Sequence, residues 1–209
     1  ALVGALRNLN KNLIEFKTGF VFAIPSFVGV YIARAYLLEI IPEKFIIFST
    51  SFLKETAIMI FFAIIMLLAS YFMIRGHKKN KPESKKNYNS FALIVEGFIV
   101  GILTGIVGAG GGFLIIPALV LFAKLPMKKA VATSLLIIAI KSLFGFLGDL
   151  GNSNLIFDWQ LLSIFTLLSI VGIFIGVYLT NFVDGKSLKK GFGLFVLTMS
   201  IIIIIKEFV

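Results

Sequence analysis

Apolar positions fall in long unbroken runs, and polar positions collect in short segments between them. The clearest runs cover residues 18–38, 56–74, 91–123, 130–147, 160–182 and 191–205. A helix needs roughly 20 apolar residues to cross a bilayer, so several of these runs predict membrane-spanning helices. None shows the strict alternation of a lipid-facing strand, which argues against an outer-membrane barrel. The expected fold class is all-α: a polytopic transmembrane helical bundle.

One run is unlike the others. Residues 97–117 read GFIVGILTGIVGAGGGFLIIP, apolar yet broken by Gly108 and by the consecutive Gly110, Gly111 and Gly112. Each glycine costs about 1 kcal/mol against alanine inside a helix, so the cluster predicts an unwound turn. Unwound backbone at membrane depth persists only when buried in protein or lining a polar cavity. Transporters build substrate sites from such broken helices. The competing reading is that the glycines only let helices pack closely. Gly97, Gly101 and Gly105, four residues apart, do read as a packing stripe. The motif is no dinucleotide fingerprint, because no βαβ pattern surrounds it.

Composition sharpens this picture. The chain is 59% hydrophobic and 14% charged with a mean hydropathy of +1.04, far from soluble globular averages. Its net charge is +10. In a soluble protein that would suggest nucleic acid. Here the positive residues sit in short loops, so they predict orientation in the membrane and no nucleic-acid partner. With no cysteine there is neither a disulfide nor a thiolate site.

The loop charges also predict topology. Residues 75–90, RGHKKNKPESKKNYNS, hold six Lys/Arg against one Glu and are expected in the cytoplasm. His77, the only histidine, is expected to be solvated there. If residues 91–123 crossed once, Lys124, Lys128 and Lys129 would lie outside and Asp149 and Asp158 inside, against the rule. If the segment turns back at its glycines as a hairpin, both loops obey it. Lys186, Lys189, Lys190, Arg7, Lys11 and Lys17 then fall inside as well, and Glu39, Glu43 and Glu55 outside. The first limb, residues 91–107, would be about 25 Å of helix, long enough to need a steep tilt.

An internal repeat fits the same scheme. Residues 1–30 are similar to residues 142–173: Leu2-Val3-Gly4 matches Leu143-Phe144-Gly145, and Asn12-Leu13-Ile14 matches Asn154-Leu155-Ile156. A hairpin plus three spans per copy would place the copies in opposite orientation, as in inverted-repeat transporters. The expected organisation is 1–74 as the remainder of a first repeat, 75–90 as a basic cytoplasmic loop, and 91–209 as a second repeat. Residues 1–6 read as the last turns of a helix, and the chain is expected to be a fragment.

Few residues could carry chemistry. After the glycines, residues 113–123 resume a helix with Pro117 in its first turns. The free N–H groups at such a start favour an anion. Thr133 and Ser134 could line the same cavity, or bond back to the preceding helical turn. Lys141 lies about 12 Å from the helix end near Asp149. A charge at that depth is costly, so it attracts an anion, snorkels to the interface, or pairs with Asp149. Arg34, nearer a helix end, is expected to snorkel, Glu96 to sit near the cytoplasmic interface, and Trp159 to join an aromatic belt. No catalytic triad, carboxylate pair or metal-spaced ligand set occurs, so neither an enzyme nor a cofactor or metal is expected.

GILTGIVGAGGGFLIIPALVLF, the AVATSL helix and the SLFGFL…NLIFDW segment together resemble the sulfite exporter TauE/SafE family. The family pattern, a glycine turn, a following Pro and A-x-x-T-S, is matched by Gly108, Gly110, Gly111, Gly112, Pro117, Ala130, Thr133 and Ser134. The resemblance implies a multi-pass inner-membrane (cell membrane) transporter of sulfite or organosulfonates. The expected site for a small anionic substrate is Gly108, Gly110, Gly111, Gly112, Pro117, Thr133 and Ser134, joined by Lys141 on the strength of its depth. The resemblance also implies a first glycine copy, so roughly 40–50 residues are expected to precede this chain. The alternatives are a transporter of another small anion or metabolite, and a non-transporting membrane scaffold.

The topology has a direct check. Cysteines introduced as His77→Cys and Asn152→Cys in this cysteine-free chain should react with a membrane-impermeant reagent from opposite faces. Labelling from the same face would remove the hairpin.

Overall fold

A computed structural model describes residues 1–42, 44–47, 50–75, 90–108, 112–150 and 158–208. Helix α1 is Leu2–Leu9, and α2, Phe16–Ile32, continues through a π-helical turn, Ala33–Leu37, into the short α3, Leu38–Ile40. A hairpin of β1, Lys44–Ile47, and β2, Thr50–Leu53, leads to α4, Lys54–Arg75. The second half holds α5 (Ser90–Val107), α6 (Gly112–Leu121), α7 (Met127–Leu150), α8 (Trp159–Leu179) and α9 (Gly185–Phe208). The predicted all-α bundle is found, with four helices long and apolar enough to cross a membrane among the described residues. The hairpin was not expected. It is antiparallel, pairs Lys44 with Leu53 and Ile47 with Thr50, and satisfies backbone groups between α3 and α4. The basic stretch 76–89 lies outside the described residues.

Local chemistry sets the helix ends. Asp158 caps α8 by accepting from the Leu161 N–H at 3.0 Å. Asp184 does the same before α9, accepting from the Ser187 N–H. Hydrogen bonding from Ser187, its side chain first and its backbone after, holds the Asp184 carboxyl below its ordinary value. The turn into α7 uses Lys124 at φ +53° and then Pro126, whose carbonyl accepts from Ala130 N–H at 2.9 Å.

The glycine stripe sets the core. α5 lies against α2 so closely that a Cβ at Gly97 would strike the Phe22 carbonyl, and one at Gly101 the Ser26 backbone. A Cβ at Gly105 would come within 2.7 Å of Ala33 Cβ. Partner numbers rise together, 22 with 97, 26 with 101 and 33 with 105, so α2 and α5 run parallel. α7 also runs parallel to α2: the pairs are Glu15 with Thr133, Ser26 with Lys141, and Phe27 with Phe144.

Those directions settle the path between. α5 and α7 point the same way, so residues 108–126 must carry the chain back. α6 makes that return with 10 residues, about 15 Å, too little to cross a bilayer. A Cβ on Gly112 would sit 3.4 Å from Ile138 Cδ1, in the middle of α7. Residues 91–123 therefore hold a long limb that ends at Gly108 and a half-length helix that begins at Gly112 inside the bundle.

The remaining helices close around this frame. α4 packs along α9, with Gly193 against Met73 and Ile74. α1 lies between α7 and α8: Gly4 meets Ile173 and Leu135, Arg7 lies over the Phe174 ring, and Lys11 reaches Asn181. These pairs run α8 parallel to α1, and the groove shared by Lys128 near the start of α7 and Asn181 just past the end of α8 runs α8 against α7. The buried core includes Phe22, Met66, Met73, Ile115, Leu119, Ile137 and Val196. α8 contributes only Val177 to it among the described residues.

The contrast between glycines is testable. Gly101→Val forces a side chain into the Ser26 backbone and should destabilise the protein by about 1–3 kcal/mol. Gly176→Ala adds a methyl inside α8 where nothing lies within 4 Å among the described residues and, by its better helix propensity, should raise the melting temperature slightly. Thermal unfolding in detergent compares the two.

Candidate functional site

The sequence-predicted residues divide by where the fold puts them. Gly108 ends α5 at φ +73°, a conformation L side chains resist, with its N–H bonded to Thr104 O at 3.0 Å. Gly110 and Gly111 lie outside the described residues. Gly112 opens α6 against Ile138, and Pro117 is buried within α6. α6 thus begins at the depth of mid-α7, and its first N–H groups lack partners within the helix.

Thr133 and Ser134 are both fully buried on α7, and they behave differently. Ser134 Oγ donates to Val131 O at 2.8 Å, the back-bond that the apolar-helix reading foresees. Thr133 Oγ1 instead accepts the Glu15 N–H at 3.1 Å. Glu15 is the N-cap residue of α2, so Thr133 satisfies one of that helix's orphan donors. Beside it the Lys129 amine and Glu15 carboxylate form an ion pair at 2.6 Å. The start of the T-S helix is therefore stapled to the start of α2.

Lys141 turns inward. Its amine donates to Ser26 Oγ on α2 at 2.7 Å and lies 5.7 Å from the centre of the Phe27 ring. The ring face supplies a cation–π contact. Among the described residues no carboxylate pairs with it. Phe27 also meets Phe144 edge-on at 6.3 Å, which steadies the ring beneath the amine. On α7, Ile137 and Ile138 fill the face between Ser134 and Lys141, and Ile138 is the residue that Gly112 approaches. Lys141 stands one turn farther along, so the start of α6, the middle of α7 and Ser26 of α2 form one neighbourhood.

Other polar features lie apart from it. Glu96 Oε2 on α5 is buried and meets no hydrogen-bond partner among the described residues. A groove of about 770 Å³ opens beside α1, α7 and α8, with Lys11, Lys128 and Asn181 at its polar end and Leu135, Ile173 and Val177 along its wall. None of the sequence-predicted site residues lines it. Sequence reasoning missed Ser26 and Phe27. Their only local signal was a hydroxyl after Pro25 in the middle of an apolar run.

Comparison with known proteins agrees with the geometry. The chain matches the family Sulfite exporter TauE/SafE over residues 1–205. It is 36% identical over 115 residues to a protein of Methanocaldococcus jannaschii named "probable membrane transporter protein"; the match takes in 52% of this chain and 42% of that one. A Xylella fastidiosa protein of the same name is 25% identical over 201 residues, 93% of this chain and 70% of its own length. The corresponding YunE protein of Bacillus subtilis is 26% identical over 166 residues, 69% of this chain and 54% of its own. No solved structure matches. With a family match spanning nearly the whole chain and a glycine-broken hairpin set against the T-S helix, this protein belongs to the TauE/SafE sulfite exporter family.

Proposed function

We propose that the protein transports a small sulfur-containing anion, sulfite or an organosulfonate, across the inner (cell) membrane. The observation that carries this reading is α6, a half-length helix whose glycine start lies against Ile138 in the middle of α7. A broken helix that starts inside a bundle presents N–H groups to an anion without a full charge of its own. Lys141, one turn along α7, adds a cation without a carboxylate partner among the described residues. A non-transporting scaffold needs neither feature.

In this reading the anion binds near Gly108, Gly110, Gly111 and Gly112, with Lys141 supplying charge and Pro117 shaping the start of α6. Thr133 and Ser134 hold the T-S helix in register beside it. Residues 1–74 and 91–209 act as two repeats that exchange access to the site from either side, with 75–90 in the cytoplasm. The opposite runs of α2 and α8, which follow the matching segments of the internal repeat, support that arrangement.

Proteoliposomes holding the protein test it by uptake of labelled sulfite and of a short organosulfonate. Gly111→Leu should reduce uptake to the protein-free level with insertion intact, because the side chain fills the turn and restores helix propensity. Uptake of an unrelated anion alone would replace the substrate assignment. Undiminished uptake by the Gly111→Leu variant would return the glycines to packing.

A further inference from the structure

We propose that Ser26 of α2 is a specificity-determining residue of this site, and that with Lys141 it forms a donor-rich pair favouring oxyanions that carry no O–H. The proposal rests on the transport reading above and deepens it.

Several hydroxyls in the other helices are spent on their own backbone. Ser70 donates to Leu67 O, Thr104 to Gly101 O, Ser134 to Val131 O, Thr180 to Val177 O and Ser200 to Leu197 O, at 2.7–3.0 Å. Ser26 is as deeply buried as any of them, at 0% exposure, and makes no such bond. Its oxygen accepts from the Lys141 amine at 2.7 Å. A hydroxyl that accepts still has its own proton to donate, and an ammonium has three N–H groups and no lone pair. One N–H is used on Ser26, so the hydroxyl proton and two amine N–H groups remain for a ligand, against a single lone pair on Ser26 Oγ. A buried donor without an acceptor costs about 1–3 kcal/mol. An incoming oxyanion removes that cost for both groups at once.

The surroundings hold the pair in place. Gly101 brings the α5 backbone onto the Ser26 backbone, so α2 cannot rotate the hydroxyl away. Phe27 lies beneath the amine and is wedged by Phe144. The pair also bridges the two halves of the chain, with 115 residues between its members. A ligand seated there touches both halves.

A donor-rich pair selects among ligands. A sulfonate or sulfite oxygen accepts from both groups. A monoanionic phosphonate of the same shape and charge spends one oxygen on an O–H, so it offers fewer acceptors to the three donors, and its proton has only the remaining lone pair of Ser26 to meet. Sites that leave a buried polar group unpaired in the wrong complex discriminate strongly.

The test uses ethanesulfonate and ethylphosphonate, below the second ionisation of the phosphonate, with the protein in proteoliposomes. Wild type should take up ethanesulfonate with a KM about tenfold below that of ethylphosphonate. Ser26→Ala should raise the ethanesulfonate KM about fivefold and shrink the preference, with maximal rate and abundance within about twofold. Ser26→Thr, which restores a hydroxyl, should recover both. A second readout needs no flux: Lys141 should react faster with an amine reagent in Ser26→Ala than in wild type, measured by mass spectrometry in detergent. An unchanged KM and preference in Ser26→Ala would overturn the proposal, as would equal loss of abundance in the Ala and Thr variants. Wild type that carries neither anion ends the transport reading; unchanged Lys141 reactivity in Ser26→Ala ends the assignment of Ser26.

Discussion

The backbone contact between α2 and α5 is the constraint on which the rest of the structure depends. Lipid is as apolar as a leucine side chain, so apolar surface alone gives membrane helices little reason to associate. Close approach of backbones supplies dispersion and weak Cα–H contacts instead. Gly97, Gly101 and Gly105 make that approach possible on one side, and Gly29 on the other, where a Cβ would strike the Phe98 carbonyl. Once α2 and α5 lie parallel, and α7 parallel to both, the chain between α5 and α7 has to double back. The half-length α6 and the glycine turn follow from that geometry.

Much of this was legible in the sequence, because it depends on spacing and charge. Four of the six apolar runs coincide with the four candidate spans among the described residues, and the loop charges on either side of 130–147 gave the reversal. The four-residue glycine spacing gave the packing stripe. The back-bond of Ser134 was one of two readings open from its place in an apolar helix. What remained hidden is contact between distant segments. Nothing near Ser26 tells that Lys141 ends beside it, and nothing near Thr133 tells that it receives the N–H of Glu15. Both contacts arise from the relative rotation of α2 and α7, which no local pattern encodes. The β1–β2 hairpin was missed for another reason: the stretch from Lys44 to Leu53 reads as a loop flanked by spans, and its pairing satisfies only its own backbone.

Thr133 shows how a motif residue can serve a site without touching a ligand. Its oxygen takes up a free N–H at the start of α2, beside the ion pair of Lys129 with Glu15. Losing it would leave a buried donor unpaired and free α2 to shift against α7. Ser26 would shift too, because it rides on α2, and the Lys141 amine would lose its seat. A substitution at Thr133 would thus reach the anion through the register of two helices.

The pairing of α2 with α5, of α4 with α9 and of α1 with α7 and α8 has a consequence for the chain's integrity. Each of these contacts joins a helix before residues 76–89 to one after them. The two halves of the chain are interleaved and are not separate bodies. Cut between α4 and α5, the two pieces would each leave glycine faces and core side chains bare and would hold to one another as two subunits of one complex. An ancestor made of two short chains, later fused between those helices, would need no rearrangement of its core.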